Sequence, residues 1–269
     1  MKKIAISIFA LALSFSIANA QRQLTILHVN DTHSHVEPDR SGRNKDQGGI
    51  IERAVMLDSI RKADGKKNVL LLHAGDFSQG TSYFPVMHGD IEIDLINAMK
   101  YDCVTIGNHE FDNDMDELGR RLKKLKCPVV CANYDFGDEA PGKYIKPYTI
   151  IKRGGKKIGI IGMLVDVKSV VAAPIANKIK QLDNTETLNK WAKFLKEEKK
   201  CDLIICLSHL GFDVDMRLAP NVRNVDIYVG GHSHTFLKDM KYATDLDGRL
   251  IPIVQSGCFG ITVGELTIQ

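Results

Sequence analysis

Five stretches of this 269-residue sequence end in side chains that commonly bind metal ions. Each stretch is an apolar, β-prone run, and Asp, His or Asn follows it directly or within a few residues. The candidate ligands are Asp31, His33, Asp76, Asn108, His209, His232 and His234. Carboxylate, imidazole and amide groups suit Zn²⁺, Mn²⁺ or similar ions, and a set without thiolates argues against a closed structural zinc site. The pattern therefore predicts a catalytic metal centre that is open to water.

The number of candidate ligands indicates more than one ion. Seven side chains exceed the three or four protein groups that one catalytic ion usually takes. We therefore expect two divalent ions, roughly 3.5 to 4 Å apart and bridged by a carboxylate. Asp76 is the predicted bridge, because it is alone in its segment.

Each candidate ligand also has a purely structural explanation. Asp31 or Asp76 could be a turn or N-cap residue, and a lone histidine could be a hydrogen-bonded core residue. The coincidence of five strand ends argues against that explanation for the whole set. Glycine also precedes three of the ligand positions, at Gly75, Gly107 and Gly231.

The remaining sequence predicts the elements that would position these side chains. Apolar runs predict strands at residues 24–29, 69–72, 103–106, 128–132, 158–164, 203–207 and 225–229. Apolar residues at helical spacing predict helices at residues 50–62, 91–99, 114–125 and 185–199. This alternation indicates an α/β domain, in which ligands bind beyond the carboxyl ends of the strands. The five segments would then meet at one edge of a sheet.

The C-terminal region has a different pattern. Residues 249–254 and 261–268 read as strands with no helix between them, and Asp247-Gly248 is a turn signal. We expect a second, partly antiparallel sheet.

The N-terminal residues resemble an export signal. Lys2 and Lys3 precede an apolar stretch at residues 4–17 and a small-residue cleavage pattern that ends at Ala20. Residues 1–20 are therefore predicted to be a signal peptide, and the protein is predicted to be periplasmic or extracellular. The alternative, a membrane anchor, is disfavoured because the stretch is shorter than the roughly 20 residues of a spanning helix, so we expect no membrane insertion after cleavage.

Charge and cysteine content narrow the possible partners. Loss of Lys2 and Lys3 lowers the formal charge from +3 to +1, which gives no long-range reason to expect a nucleic-acid or anionic-membrane partner. Three of the six cysteines, Cys103, Cys131 and Cys206, lie inside apolar runs, so we expect mostly free thiols.

The motifs at the strand ends resemble those of a known family. They are Asn30-Asp31-Thr32-His33-Ser34-His35, Gly75-Asp76, Gly107-Asn108-His109-Glu110-Phe111-Asp112, Ser208-His209 and Gly230-Gly231-His232-Ser233-His234-Thr235. In this combination the sequence resembles the calcineurin-like metallophosphoesterases and, within them, the 5′-nucleotidase family, over essentially the whole chain after residue 20. The resemblance implies a four-layer α-β-β-α sandwich, with two packed mixed β-sheets flanked by helices.

The resemblance also implies roles for individual residues. It assigns Asp31, His33, Asp76 and His234 to one ion, and Asp76, Asn108, His209 and His232 to the other. It makes His109 and Asp112 a catalytic dyad. The implied reaction is in-line attack of a metal-activated water on phosphorus, with a nucleoside monophosphate as the expected substrate.

One feature departs from the family pattern. Members commonly carry a C-terminal domain that binds the nucleotide, and this sequence stops at Gln269. We therefore expect residues 21–269 to form the catalytic domain, with base recognition supplied by a separate chain, lost by shortening, or replaced by a relaxed leaving-group preference. Nucleotide-sugar hydrolysis, 2′,3′-cyclic-nucleotide hydrolysis and thiosulfohydrolysis stay open as alternatives, as does a non-catalytic metal-binding or partner-binding module.

Overall fold

The computed structural model describes residues 23–40 and 42–268. The signal peptide predicted at residues 1–20 lies outside the described residues. Across the described part of the chain, no helix is both long enough and apolar enough to span a bilayer.

Six strands form the first sheet. Their bounds are β1 Leu24–Val29, β2 Val69–His73, β3 Cys103–Thr105, β4 Val129–Val130, β6 Ile145–Lys146 and β14 Gly264–Ile268. Their order in the sheet is β14-β1-β2-β3-β4-β6. Strands β1, β2, β3, β4 and β6 run parallel to one another, and β14 is antiparallel to β1.

The second sheet also has six strands. They are β7 Tyr148–Arg153, β8 Lys156–Leu164, β10 Leu203–His209, β11 Ile227–Val229, β12 Lys241–Thr244 and β13 Leu250–Val254. Their order is β12-β13-β11-β10-β8-β7, with a parallel centre and two antiparallel edges. A small ribbon pairs β5 Tyr134–Asp135 with β9 Lys180–Gln181.

Helices cover the outer faces of the two sheets. They are α1 Ile50–Asp64, α2 Tyr83–Met87, α3 Asp90–Met99, α4 Asp114–Leu122, α5 Val167–Val170, α6 Ala173–Ala176, α7 Asn184–Glu197 and α8 Phe212–Leu218. Buried side chains such as Ile26, Leu70 and Ile205 fill the space between the sheets, and separate apolar clusters lie under the helices on each side. The predicted four-layer sandwich is therefore confirmed.

The strand and helix predictions hold for most of the chain, with differences in the placement of the last strand and in several short or edge elements. The last strand, β14, joins the first sheet beside β1 instead of extending the second sheet. Leu266, in β14, packs in the core between the sheets. The alternating sequence pattern of β14 does not specify which sheet the strand joins. The edge strand β7 and the short helix α8 have no predicted counterpart, and the same is true of the short elements β5, β6, β9, α2, α5 and α6. All six cysteines are unbridged, as expected.

The parallel strands end at one common edge of the sandwich. Residue Val29 pairs with His73 in the first sheet, and Leu207 pairs with Val229 in the second. Because parallel strands point the same way, the segments that follow their carboxyl ends meet at this edge.

Candidate metal centre

The structure brings all seven predicted ligands together at this edge. Their ligand atoms form overlapping groups in which every atom lies within 4.8 Å of the others. One group is Asp31, His33 and His234, and another is Asp76, His209 and His232. Asn108 joins them, because its Oδ1 lies 3.0 Å from Nδ1 of His232. The two groups have the donor chemistry of a divalent-metal site.

Asp76 lies between the two groups. Its Oδ2 is 3.1 Å from Nε2 of His209 and 3.8 Å from Nε2 of His33. Its Oδ1 accepts a hydrogen bond of 2.9 Å from the backbone N–H of His109. The side chain is buried and contacts both halves of the site, as a bridging carboxylate would.

Backbone carbonyls fix the orientation of two imidazoles. Nδ1 of His209 lies 2.6 Å from the oxygen of Ala74, and Nδ1 of His33 lies 3.2 Å from the oxygen of Gln79. A carbonyl oxygen only accepts, so each Nδ1 carries the proton and donates. Each Nε2 is left to face the site, which is the arrangement that metal-binding histidines usually adopt.

The site contains contacts that a cation would relieve. Nε2 of His33 and Nε2 of His234 face each other at 3.0 Å. The buried Nε2 of His209 has no hydrogen-bond partner among the described residues, despite its closeness to Asp76. Imidazole nitrogens held this closely, beside two buried carboxylates, fit a bound divalent ion that would displace their protons.

The pKa shifts of the histidines also indicate that the site favours positive charge. Burial alone would lower the pKa of His209, but the adjacent Asp76 carboxylate raises it to about 9. The hydrogen bond to Asp31 raises the pKa of His234 to about 10. Burial lowers the pKa of His33 and of His232. The two carboxylates thus hold protons on neighbouring imidazoles, and metal binding would displace such protons.

The ligand-bearing backbone is strained. Non-glycine residues with positive φ recur at the site, and their angles are 51° at Asp31, 46° at His33, 53° at Asp76, 75° at His232 and 52° at His234. The left-handed region costs side-chain-bearing residues roughly 1 to 3 kcal/mol each and is concentrated at functional sites. Surrounding contacts must therefore hold these loops in place.

The glycines that precede the ligands make room for His209. A Cβ atom on Gly75 would lie 2.7 Å from Nδ1 of His209, and one on Gly231 would lie 2.9 Å from the same atom. The imidazole is fully buried in this cradle. Any larger residue at Gly75 or Gly231 would displace the ring.

The predicted dyad stands beside the cluster and faces solvent. Nδ1 of His109 is 2.8 Å from Oδ2 of Asp112, and both side chains are about one third exposed, at 33%. The hydrogen bond to Asp112 raises the pKa of His109. The rings of His109 and His33 are 5.2 Å apart, so a substrate group at the cluster would be within reach of His109.

Glu110 links two ligand-bearing loops, and the residue types alone do not predict this contact. Its buried carboxylate accepts four backbone hydrogen bonds, from the N–H groups of Gly107, Asp76, Phe77 and Ser78. It therefore ties the loop that carries Asp76 to the loop that carries Asn108. The available signal was its place inside the Gly107–Asp112 motif, directly after His109.

The segment after β13 supplies a further wall of the site. The ring of Phe259 stacks on His35 at 4.1 Å and lies 5.9 Å from the ring of His33 and 5.8 Å from that of His234. Its backbone N–H donates a 2.6 Å hydrogen bond to the oxygen of Asp31. This segment carries none of the Asp, His or Asn residues that mark the other strand ends, so its position could not be predicted from that pattern.

Comparison with known proteins identifies the fold family. The profile of the calcineurin-like phosphoesterase family matches residues 24–236. The snake venom 5′-nucleotidase of Naja atra is 36% identical to this protein, and the alignment covers 91% of the present chain. The aligned region is 50% of that relative, so the chain spans about half the length of the curated relatives it matches.

Solved structures agree with the sequence comparison. A 5′-nucleotidase precursor from Thermus thermophilus superposes with a TM-score of 0.84 at 31% identity, over 92% of this chain and 51% of that one. The NAD nucleotidase of Haemophilus influenzae gives a TM-score of 0.83 at 30% identity, over 91% of this chain and 47% of that one. The similarity thus covers nearly the whole chain and corresponds to half of each larger protein.

Proposed function

Because this chain belongs to the calcineurin-like phosphoesterase family, a class of metal-dependent phosphoester hydrolases, we propose that it hydrolyses 5′-nucleotides to nucleoside and phosphate. The observation that carries the proposal is the hydrogen-bonded pair of His109 and Asp112 beside a seven-residue ligand cluster. A metal-binding module would need the cluster but not the pair.

Two divalent ions would be held by the cluster. The ligands of the first would be Asp31, His33, Asp76 and His234, and those of the second would be Asp76, Asn108, His209 and His232. Such ions would supply Lewis-acid stabilisation of phosphoryl oxygens and an acidified water. Zinc and manganese both suit this mixture of oxygen and nitrogen ligands.

The chain's own residues would act on the substrate next to the ions. His109, held cationic by Asp112, would donate a hydrogen bond to a phosphoryl or leaving-group oxygen as charge develops there. Asp112 would fix the orientation of the imidazole, because its oxygen occupies Nδ1 and leaves Nε2 for the substrate. General acid–base help of this kind is typically worth about 10² to 10⁴ in rate.

A second candidate substrate class is a nucleotide with a pyrophosphate bond. It is favoured by the likeness to the NAD nucleotidase of Haemophilus influenzae, which nearly equals the likeness to the Thermus thermophilus 5′-nucleotidase precursor. The same ligand set would serve either bond. Nucleotide-sugar, 2′,3′-cyclic-nucleotide and thiosulfate-ester hydrolysis are further possibilities for this site.

Location and partners belong to the same proposal. We propose that residues 1–20 direct export to the periplasm or the extracellular space, and a similar enzyme is a snake venom protein. We also propose that residues 21–269 are a catalytic domain. Recognition of the nucleotide base would then come from a domain equivalent to the half of the relatives that this sequence does not match. That domain would lie in the same chain or in a separate one.

The test is a phosphate-release panel on the protein loaded with Mn²⁺, Co²⁺ or Zn²⁺. It contains AMP, NAD, a nucleotide sugar, a 2′,3′-cyclic nucleotide and a generic aryl phosphate. We expect release from AMP, and we expect His109→Ala to lose about 10² to 10⁴ of it while its metal content stays unchanged. If His109→Ala turned over AMP at the parent rate, the catalytic role of His109 and Asp112 would be rejected. If the protein bound its full metal content but turned over no substrate, a binding module would be favoured.

A further inference from the structure

The sandwich edge opposite the metal centre carries a concentration of lysines. There the strands begin: β2 starts just after Lys66 and Lys67, β8 starts at Lys156, and β10 starts three residues after Lys200. The seven residues of β10 separate this edge from His209 by about 20 Å. We call Lys66, Lys67, Lys152, Lys156 and Lys200 the basic face.

Hydrogen bonds bring these sequence-distant lysines together. The hairpin between β7 and β8 binds the segment before β2, because the N–H of Gly154 donates a 2.9 Å hydrogen bond to the oxygen of Lys67. The same hairpin binds the segment before β10, because the Lys157 ammonium donates to the oxygen of Lys199. Three separate parts of the chain therefore form one continuous surface.

The ammonium groups of the basic face make no direct ion pair among the described residues. Lys66, Lys67, Lys152 and Lys200 are exposed, and Lys156 is half-buried. Within the part of the chain that the structure describes, none of the five lies within 4.0 Å of a carboxylate oxygen.

Three carboxylates lie near the basic face, and hydrogen bonds from neutral donors orient them without cancelling their charge. Asp64 accepts from the hydroxyl of Thr25, Asp102 accepts from the N–H of Leu71, and Asp202 accepts from the N–H of Lys157. Asp102 also pairs with Arg153. The exposed Glu197 and Glu198 lie at the end of α7, shortly before Lys200, and Glu197 is 3.9 Å from Lys193.

The chain enters the fold at the same place. A Cβ atom on Gly154 would lie 2.9 Å from Leu24 and 3.5 Å from the oxygen of Gln23, the first described residue. The apolar sequence at residues 4–17 ends only six residues earlier, which is at most about 22 Å of extended chain. Before the proposed cleavage after Ala20, a membrane that held this apolar sequence would therefore lie close to the basic face.

We propose that the basic face is a docking surface for anionic phospholipid headgroups. Five ammonium groups without ion pairs lie beside the start of the fold at Gln23, and they complement such a surface in charge both before and after the apolar sequence is cleaved off. Docked in this way, the protein directs its metal centre away from the membrane and into solvent.

Nucleic acid fits this surface less well. Single-stranded nucleic acid is usually bound by exposed aromatic rings that stack on bases. The nearest rings, those of Tyr148, Trp191 and Phe194, pack against one another with centroids 5.0 to 5.7 Å apart, and the ammonium of Lys199 covers the ring of Phe194.

The test measures vesicle binding by the chain from Gln21 onward, since residues 23–268 contain both complete sheets. Vesicles of phosphatidylcholine alone are compared with vesicles of equal parts phosphatidylglycerol and phosphatidylcholine in a sedimentation assay. We expect binding only to the anionic vesicles, and weaker binding as salt is raised. The triple variant Lys66→Gln, Lys67→Gln, Lys200→Gln should bind about a hundredfold more weakly, or about fivefold per lysine.

A matched variant controls for net charge. Lys45→Gln, Lys168→Gln, Lys180→Gln removes three exposed lysines from segments near the opposite edge and should keep most of the binding. The patch variant should hydrolyse an aryl phosphate like the parent protein, which shows that it is folded. Equal loss in both triple variants, no binding of the parent to anionic vesicles at low salt, or tighter binding of a single-stranded oligonucleotide than of vesicles would each overturn the proposal.

Discussion

The two edges of the sandwich differ in which charged groups lack an ion-pair partner among the described residues. At the carboxyl ends of the strands, Asp31 and Asp76 are buried among imidazoles and make no ion pair with a lysine or arginine of the described chain. At the amino ends, Asp102 pairs with Arg153 and caps a backbone N–H, while the lysines nearby are exposed. At the first edge, buried carboxylates lack a lysine or arginine partner, whereas at the second edge, exposed lysines lack a carboxylate partner among the described residues.

This difference shows how one fold separates stability from function. The amino-end carboxylates satisfy backbone donors, so their contribution is to folding. The carboxyl-end carboxylates are held in strained loops with incomplete compensation, which a folded protein retains only where the surroundings enforce it. Equivalent substitutions at the two edges should therefore have different consequences.

The largest difference is expected between Asp76→Asn and Asp102→Asn. Asp76→Asn removes the shared ligand charge and should lower turnover by more than about 100-fold, since even residues behind metal ligands are worth about 10 to 100-fold. Asp102→Asn should leave turnover unchanged and lower the free energy of unfolding by about 1 to 3 kcal/mol. Steady-state kinetics and urea denaturation of both variants check this, and comparable loss of turnover in both would abolish the contrast.

Glu110→Gln should weaken metal binding without unfolding the protein. The amide offers one oxygen where two oxygens now accept four N–H groups, so the Asp76 and Asn108 loops lose their common anchor. We expect metal affinity, measured by competition with a chelator, to fall by about 10 to 100-fold. Activity should partly return at saturating metal.

Glu117→Gln is the matched control for that change. Glu117 lies on α4, is partly exposed and pairs with Arg120 at 2.8 Å. Its loss should leave metal affinity as it is in the parent protein. If Glu110→Gln also left metal affinity unchanged, Glu110 would have no part in positioning Asp76.

The smallest effect concerns His28, a buried imidazole in β1 that has no carboxylate partner among the described residues. Burial lowers its pKa to about 4, in contrast to His209, which Asp76 holds at about 9. The unfolded chain takes up a proton near pH 6.5, so the stability due to neutral His28 is complete above that pH and is lost as pH falls toward 4. Between about pH 7 and pH 5 this loss is about 2 kcal/mol.

Urea denaturation at the two pH values, with a chelator present, measures that loss. His28→Gln should show a weaker dependence of unfolding free energy on pH than the parent protein, by about the same 2 kcal/mol. The titrating imidazoles of the metal centre are common to both proteins and cancel in the comparison. Equal pH dependence would mean that His28 is not held neutral by burial.

The sequence predicted those parts of the site that reside in side chains at strand ends. Asp31, Asp76 and His209 were identifiable because an apolar run precedes each of them. The groups that orient them were not identifiable, since the carbonyls of Ala74 and Gln79 belong to the backbone and leave no mark on residue type.

Two further features depended on the three-dimensional arrangement. The pattern of β14 fits either sheet, and only its pairing with β1 decides between them. The charge of +1 after loss of Lys2 and Lys3 indicated no anionic partner, but it averages over two edges of opposite character. Segregation of charge appears only when Lys66, Lys156 and Lys200 are seen together.

The most direct measurement is anomalous diffraction from crystals of the protein grown with Mn²⁺. Two peaks about 3.5 to 4 Å apart are expected on either side of the Asp76 carboxylate. One should contact His33 and His234, and the other should contact Asn108 and His232. A single peak, or manganese bound away from Asp76, would contradict the two-metal phosphohydrolase site.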